Sequence, residues 1–442
     1  MNKQEFMRTK PILPLLLSMG VPMMISMLIQ SLYNIVDSIY VSRLGTDAIT
    51  AISLVYPLQN VIMAVSVGVG VGIGSVISMN LGAGDQEKAD RAASVGMFLT
   101  FIHVAVFILI GIFVTKPFLQ LFTKDAQVLQ WACDYGYIVM IVSFGSLIQI
   151  CFEKIYQSVG AMMTTMLALG VSCVINIILD PIFIFGYFGV PAMGVRGAAI
   201  ATVIGQIAGM ILYIILYRKR GLAVCISLKK MRPEAELVRQ IYSVGIPSTL
   251  MLALPSVLVS VLNAILSAFS EVYVAVLGLF LKLQSFIYMP ANGIVQGMRP
   301  IIGYNYGAGE KKRMHKTIRV GLILTAAIMA VGTLAAQLFP QAILSMFDAD
   351  VQLMDKGVEA LRIISIGFIV SSVGVIFCGT FEALGMGMKS LIVSLTRQFA
   401  VNIILGWILT IPFGAAGIWL AYPVAELLGA AAAVILFKMS KV

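Results

Sequence analysis

The stretch Met79 to Gly96 reads MNLGAGDQEKADRAASVG, and Tyr304 to Gly321 reads YNYGAGEKKRMHKTIRVG, the same pattern 225 residues later. The same offset brings SMGVP at Ser18 to Pro22 onto SVGIP at Ser243 to Pro247. Collinear matches at one offset are the mark of an internal repeat, although any single match would be weak. The sequence therefore predicts a chain built from two related halves.

The composition around these repeats is that of a membrane protein. Of 442 residues, 60% are hydrophobic and 11% are charged, and mean hydropathy is +0.99. Ordinary soluble domains carry about 25% charged residues. Apolar runs of about 20 residues, long enough to cross a bilayer, recur along the whole chain. We expect an all-α polytopic protein with twelve transmembrane segments, near 12–40, 48–78, 92–115, 127–152, 161–186, 195–217, 238–268, 272–301, 317–339, 351–380, 389–412 and 415–438.

The basic residues place the two halves in the membrane. Lys and Arg gather in the loops on the side that holds both chain ends, which predicts that these loops and both termini are cytoplasmic. This concentration of Lys and Arg in the loops accounts for the net charge of +10, so the charge does not indicate a nucleic-acid-binding protein. The longest polar stretch predicts a division into an N-lobe (1–217), a cytoplasmic linker (218–237) and a C-lobe (238–442). Because each half has an even number of segments, the repeats are parallel, as in some transporters.

One acid stands inside the fifth segment. The run Val171 to Gly186, VSCVINIILDPIFIFG, is almost wholly apolar except for Asn176 and for Asp180, which Pro181 follows directly. A charged side chain at the centre of a transmembrane helix costs about 2.5–3.5 kcal/mol on insertion scales. Asp180 is therefore a candidate functional residue.

A second acid repeats this arrangement in the first segment. Gln30, Asn34 and Asp37 recur at i, i+4 and i+7, and three residues of the fifth segment recur at i, i+4 and i+8. That second set is Ser172, Asn176 and Asp180. Each set shares one helix face, and both acids lie toward the outer leaflet when counted from the cytoplasmic helix starts. The stripes predict a hydrated pocket of two carboxylates and two amides, suited to a proton or a cation.

Two structural alternatives remain open for these acids. Asp37 can lie at the water-exposed end of the first helix and pair with Arg43 at the membrane interface. Asp180 and Pro181 can be the N-cap and first residue of a helix that restarts after a kink.

Other polar residues are weaker candidates. Lys282 lies within the eighth segment, where it is either a cavity cation or a snorkelling side chain. Further candidates for a cavity wall are Gln59, Asn263 and Gln284. We expect four other charged residues to snorkel or to lie at helix ends: Glu153, Lys154, Glu382 and Arg397.

Signatures of catalysis are missing. No GxSxG, HExxH or Walker sequence stands in a supporting context, so we expect a transporter and not an enzyme. Without an ATP site, any pumping must draw on a proton or sodium gradient. We expect no cofactor and no certain metal site, with a sodium ion at Asp37 and Asp180 as the one candidate.

Taken together, these features resemble a known family. The twelve segments in two parallel halves, NIVDSIYVSRLG at Asn34 to Gly45, the NLGAGD and NYGAGE loops, and NIILDP in the fifth segment are similar to the multidrug and toxic compound extrusion (MATE) family. The likeness covers essentially the whole chain and is greatest to the bacterial DinF and MepA branch.

The resemblance implies an antiporter of the bacterial inner membrane that expels organic, often cationic, compounds in exchange for protons or sodium ions. The two lobes would form a V around a central cavity and alternate between outward- and inward-open states. By position, the resemblance implies that Asp37, Asn176 and Asp180 bind the coupling ion or substrate and that Pro22 is a hinge. We expect Asn34, on the same stripe as Asp37, to assist them. Pro181 is a second candidate hinge.

The chain also departs from the family pattern. Some branches carry acids in the seventh and tenth segments, but the seventh segment here has Asn263 and no acid. We therefore expect ion coupling in the N-lobe. The nearest alternative is a lipid-linked saccharide flippase of the same superfamily, which would need a more cationic cavity. Expected partners are small organic molecules and membrane lipid, and we expect a monomer.

Overall fold

The computed structural model describes residues 4–347, 351–440 and 442, and every regular element among them is helical. The all-α prediction is confirmed. The α-helices are α1 (Phe6–Thr9), α2 (Ile12–Ser42), α3 (Thr46–Gly82), α4 (Gln86–Phe113), α5 (Thr115–Gln120), α6 (Ala126–Ile141), α7 (Phe144–Ser158), α8 (Met162–Phe185), α9 (Val195–Arg220), α10 (Ala235–Ser267), α11 (Glu271–Gly307), α12 (Lys311–Leu338), α13 (Pro340–Ser345), α14 (Val351–Ser365), α15 (Phe368–Ala383), α16 (Gly387–Leu395), α17 (Val401–Phe413) and α18 (Ala416–Met439). A π-helical turn, Thr396–Ala400, joins α16 to α17.

Twelve spans fit these helices. Within the described residues, ten continuous helices are long and apolar enough to cross a membrane. Two further spans are bent pairs, α6 with α7 at 45° and α14 with α15 at 55°. Each predicted segment corresponds to one of these twelve, with ends that differ by a few residues.

Close backbone contacts explain the glycines Gly82 and Gly307 at the repeated loops. A Cβ at Gly82 would overlap the backbone carbonyl of Tyr304, and a Cβ at Gly307 would overlap that of Met79. These two contacts are mates under the 225-residue offset. They bring the ends of α3 and α11 together as a symmetric pair, so the NLGAG and NYGAG motifs lie on the axis that relates the lobes.

Two helix pairs join the lobes beyond these loops. α3 packs along α10, and α2 packs along α11, again as mates under the same offset. Small residues permit the close approach, because a Cβ at Gly72 would meet the backbone of α10 and one at Gly297 would meet Gly20. These contacts lie toward the start of α2 and the end of α3. The lobes therefore meet at the end that carries the basic loops and part toward the opposite end.

The short helix α1 reinforces this closed end. Arg8 forms an ion pair of 2.8 Å with Glu310 on the C-lobe. Asn305 Nδ2 and Arg313 Nε donate to the backbone carbonyl of Met7 over 3.1 and 3.0 Å. The N-terminal segment of the N-lobe is thus tied to the C-lobe at the loop between α11 and α12 and at the helix ends beside it.

The linker packs against the start of α4. Asp90 accepts a hydrogen bond from the backbone N–H of Cys225 over 2.8 Å, and it pairs with Lys230 Nζ over 3.1 Å. Apart from a single 3₁₀ turn at Leu228–Lys230, the segment between α9 and α10 forms no helix. It connects the lobes along their closed end.

Candidate functional site

A central cavity of about 800 Å³ opens between the lobes. This volume is in the range of sites that hold drug-sized ligands. The N-lobe wall comes from α2, through Met27, Gln30, Ser31 and Asn34. The C-lobe wall is larger and consists of Pro255, Ser256, Leu258, Val259, Leu281, Gln284, Ser285, Tyr288, Met289, Asn292, Arg397, Gln398, Asn402, Tyr422 and Glu426.

The polar stripe of α8 faces the neighbouring helix α9. Ser172 Oγ donates to the carbonyl of Gly205 over 2.7 Å, and Asn176 Nδ2 donates to Thr202 Oγ1 over 3.4 Å. Asp180 itself has no solvent exposure. The stripe therefore points into the N-lobe, away from lipid.

The two acids meet inside the N-lobe. α2 packs against α8, and the carboxyl groups of Asp37 and Asp180 lie within hydrogen-bonding reach of one another. A hydrogen bond between two carboxyl groups needs a proton on one of them. The arrangement is the one that the two polar stripes predict, and its role in transport stays a prediction.

No basic side chain neutralises this pair in the described part of the chain. Among the described residues, neither acid forms an ion pair, and Asp37 does not pair with Arg43. Both carboxylate oxygens of Asp180, Oδ1 of Asp37 and Oδ1 of Asn176 are buried, and no N–H or O–H group of the described residues donates a hydrogen bond to them. Buried acceptors with no donor favour a proton or a small cation.

The alternative that Asp180 caps a restarted helix is wrong. α8 runs unbroken from Met162 to Phe185 and holds Pro181 in its interior. α2 likewise continues through Pro22, and Ser26 Oγ donates to the Pro22 carbonyl over 2.8 Å. Whether either proline acts as a hinge stays a prediction.

Two tyrosines complete the acid pocket. Tyr33 and Tyr135 lie within electrostatic range of both carboxylates, and Tyr135 Oη accepts a hydrogen bond from Gln59 over 3.4 Å. Tyr33 shares a helix face with Asp37 at i and i+4, so the sequence contained a signal for it. Tyr135 comes from α6, and no pattern in the sequence links it to the acids.

Three of the remaining candidates line the central cavity and two lie outside its lining. Asn34 is exposed and lines the central cavity with Gln30 and Gln284. Lys282 is exposed and lies outside the cavity lining, as does the half-buried Asn263.

The expectation that four charged residues snorkel is wrong, although Glu382 does lie at the end of α15. Lys154 is 7% exposed and pairs with Glu153 over 2.8 Å, and Glu382 is buried against Arg299. These pairs form because long side chains inside a two-lobe protein reach a partner before they reach water.

The fourth of these residues, Arg397, is also buried. Its Nε lies 2.6 Å from Oε2 of Glu426, on the wall of the central cavity. Sequence periodicity does not reveal this pair, since its members come from separate helices.

Comparison with known proteins agrees with this architecture. The family model described as MatE matches residues 22–182 and again 247–408. The two matches begin 225 residues apart, the offset of the internal repeat.

Relatives and solved structures span nearly the whole chain. The multidrug export protein MepA of Staphylococcus saprophyticus is 28% identical over 418 residues, which are 94% of this chain and 91% of that protein. MepA of Staphylococcus aureus strain N315 is 26% identical over 98% of this chain and 94% of its own. A multidrug resistance MATE transporter of the MOP superfamily, solved in an outward-facing conformation, superposes with a TM-score of 0.90 at 25% identity and covers 98% of both chains.

The matched family model covers well over half of the sequence, once in each lobe. The chain belongs to the MatE family.

Proposed function

We propose that this protein is a multidrug efflux antiporter that exports organic, often cationic, compounds in exchange for protons or sodium ions. The observation that carries the proposal is the pair Asp37 and Asp180 inside the N-lobe. Asp180 is fully buried, Asp37 is half-buried, and no basic side chain among the described residues pairs with either. The pair lies in the lobe that helps to wall a cavity of about 800 Å³. The names of the MepA relatives, multidrug export protein, support it.

The acids perform the coupling. A proton or a sodium ion bound to this pair lowers its negative charge by one, whereas the empty pair attracts a cationic substrate. Ion and substrate therefore compete for one negative region, and this competition enforces exchange between them.

The lobes perform the alternating access. In this structure they are closed at the end with the basic loops, by the contacts of α2 with α11 and of α3 with α10. The positive-inside rule assigns that end to the cytoplasm, so the cavity faces outward. We place the protein in the bacterial cytoplasmic membrane with both termini inside, as a monomer that needs no cofactor beyond the ion gradient.

Both coupling ions are compatible with the acid pocket. A proton needs only one carboxylate as acceptor, while sodium needs several oxygen ligands. Asp37, Asp180 and Asn176 offer buried oxygens that lack partners. A lipid-linked saccharide flippase is less compatible, because the charges of Arg397 and Glu426 on the cavity wall cancel.

Transport in proteoliposomes tests the proposal. Purified protein is reconstituted, ethidium is loaded on one side, and a proton gradient and a sodium gradient are imposed in separate experiments. We expect at least one of the two ion gradients to drive ethidium against its own concentration gradient. Absence of movement with both ions, for ethidium and for a panel of other organic cations, would contradict the exporter function.

A further inference from the structure

The C-lobe wall of the central cavity carries a buried ion pair. Arg397 is 4% exposed and Glu426 is 7% exposed, and their Nε and Oε2 atoms lie 2.6 Å apart. They are the two charged side chains among the described residues that line the cavity. A buried ion pair is costly to desolvate and by itself is weak evidence for stability.

The fold is built to hold this arginine. Arg397 sits in the π-helical turn Thr396–Ala400, and single π turns inside α-helices are frequent at functional sites. Gly374 on α15 and Gly429 on α18 leave room for its side chain, since a Cβ at either position would press on Arg397.

The groups around the pair retain bonding capacity. A guanidinium has five N–H donors, and one carboxylate takes at most two of them in a bidentate pair. Tyr422 Oη and Asn402 Oδ1 are buried without a hydrogen-bond partner among the described residues. The ring of Tyr288 lies 5.9 Å from the Arg397 guanidinium carbon, which gives the wall an aromatic surface beside the charges.

The electrostatics of the pair select a class of ligand. The pair is neutral as a whole, so its attraction and repulsion for a simple monocation nearly cancel. A zwitterion can place its carboxylate at Arg397 and its cationic part at Glu426. The dipole of the ligand then lies antiparallel to the dipole of the ion pair, and the two attract one another. Charge-assisted hydrogen bonds of this kind are about twice as strong as neutral ones.

We propose that Arg397 and Glu426, with Tyr422 and Tyr288, form a dipolar subsite that binds zwitterionic aromatic substrates through their carboxylate. This inference rests on the proposed exporter function and adds a substrate class to it. The N-lobe acids supply ion coupling, and the C-lobe pair supplies selectivity for ligands that carry both charges.

Two dyes that differ by one group test the subsite. Rhodamine 110 has a free carboxylate beside its cationic ring system, and rhodamine 123 is its methyl ester. Fluorescence polarisation gives the Kd of each dye for the purified protein. The test variant is Arg397→Met combined with Glu426→Gln, because removing one partner alone leaves a buried unpaired charge.

We expect the ratio of the rhodamine 110 Kd to the rhodamine 123 Kd to rise about tenfold in the double variant. The control variant is Arg196→Met with Asp134→Asn, an ion pair of 2.9 Å outside the cavity lining, in which the ratio should stay as in the wild type. Tyr422→Phe keeps both charges, should fold even if the double variant does not, and should raise the ratio about threefold.

The outcomes separate the subsite from the exporter function. Wild-type protein that binds rhodamine 123 but not rhodamine 110 overturns the subsite, as does a ratio that stays constant in the double variant and in Tyr422→Phe. Wild-type protein that binds and transports neither dye, nor ethidium, contradicts the exporter function itself.

Discussion

Asp180 on α8 lies within hydrogen-bonding reach of Asp37 on α2, and in the described residues no lysine or arginine forms an ion pair with either. The two acids come from helices at opposite ends of the N-lobe sequence, and the C-lobe has no equivalent. Under the 225-residue offset, the position of Asp180 corresponds to Leu405. The repeated fold therefore does not require the acid.

The glycines on the lobe axis should be intolerant of a side chain. Gly82→Ala places a methyl group on the Tyr304 carbonyl, so α3 and α11 must move apart. We expect a loss of about 1–3 kcal/mol of stability, read as a fall in unfolding temperature of the purified protein. Gly278→Ala is the matched control, because Gly278 lies in α11 with nothing within 4 Å. Equal unfolding temperatures for both variants would contradict the axial contact.

The contacts between α1 and the C-lobe should favour the state in which the lobes are closed at the end with the basic loops. Arg8 and Glu310 are 55% and 38% exposed at their side chains, so solvent screens their pair and its contribution to the closed state is small. Arg8→Glu should therefore increase the open population by up to about fivefold. Electron spin resonance distances between labels at Lys88 and Lys312 would measure the change. The swapped variant Arg8→Glu with Glu310→Arg should restore the wild-type distances, and failure to restore them would show that the pair is not the cause.

Removing Arg299 alone should destabilise the protein more than replacing both Arg299 and Glu382. Glu382 also accepts a hydrogen bond from Ser248 Oγ over 3.0 Å, and its side chain is 5% exposed. Arg299→Met leaves this buried carboxylate without its counter-ion and should cost about 3–5 kcal/mol. Adding Glu382→Gln should recover most of the loss, as measured by the unfolding temperature in detergent. A double variant as unstable as the single variant would argue against this account.

Asn176 should assist coupling without being essential to it. Its Oδ1 is one of the unpartnered buried oxygens beside the acids, while its Nδ2 bonds Thr202. Asn176→Ala keeps both carboxylates, so we expect about tenfold slower gradient-driven ethidium efflux and not its loss. Asn263→Ala, outside the cavity lining, is the control and should transport at the wild-type rate. Unchanged initial rates for Asn176→Ala would remove the residue from the coupling site.

Much of the fold could be predicted because its signals are local or repeated. The twelve spans follow from hydrophobic length, and the matched GAG loops predict two related halves. Helical spacing predicts the contact between the acids, since Asp37 continues a polar stripe at i, i+4 and i+7 and Asp180 continues one at i, i+4 and i+8. Their similar depth then followed from the rise per residue.

The parts that could not be predicted depend on tertiary contacts. An arginine in an apolar segment suggests snorkelling when no partner is visible in the sequence. Arg397 instead pairs with Glu426 from the next span. Arg397 lies in a π-helical turn, which the sequence pattern does not predict. Tyr135 reaches the acids for a similar reason, from α6 and with no periodic relation to them.

The most direct test of the account is ethidium transport by Asp37→Asn and Asp180→Asn in proteoliposomes, with Asp47→Asn, an exposed acid at the start of α3, as the control. We predict that each pocket variant is expressed and folded but loses gradient-driven accumulation, while the control retains it. Full accumulation by both pocket variants would contradict the claim that this pair of acids couples the ion gradient to export.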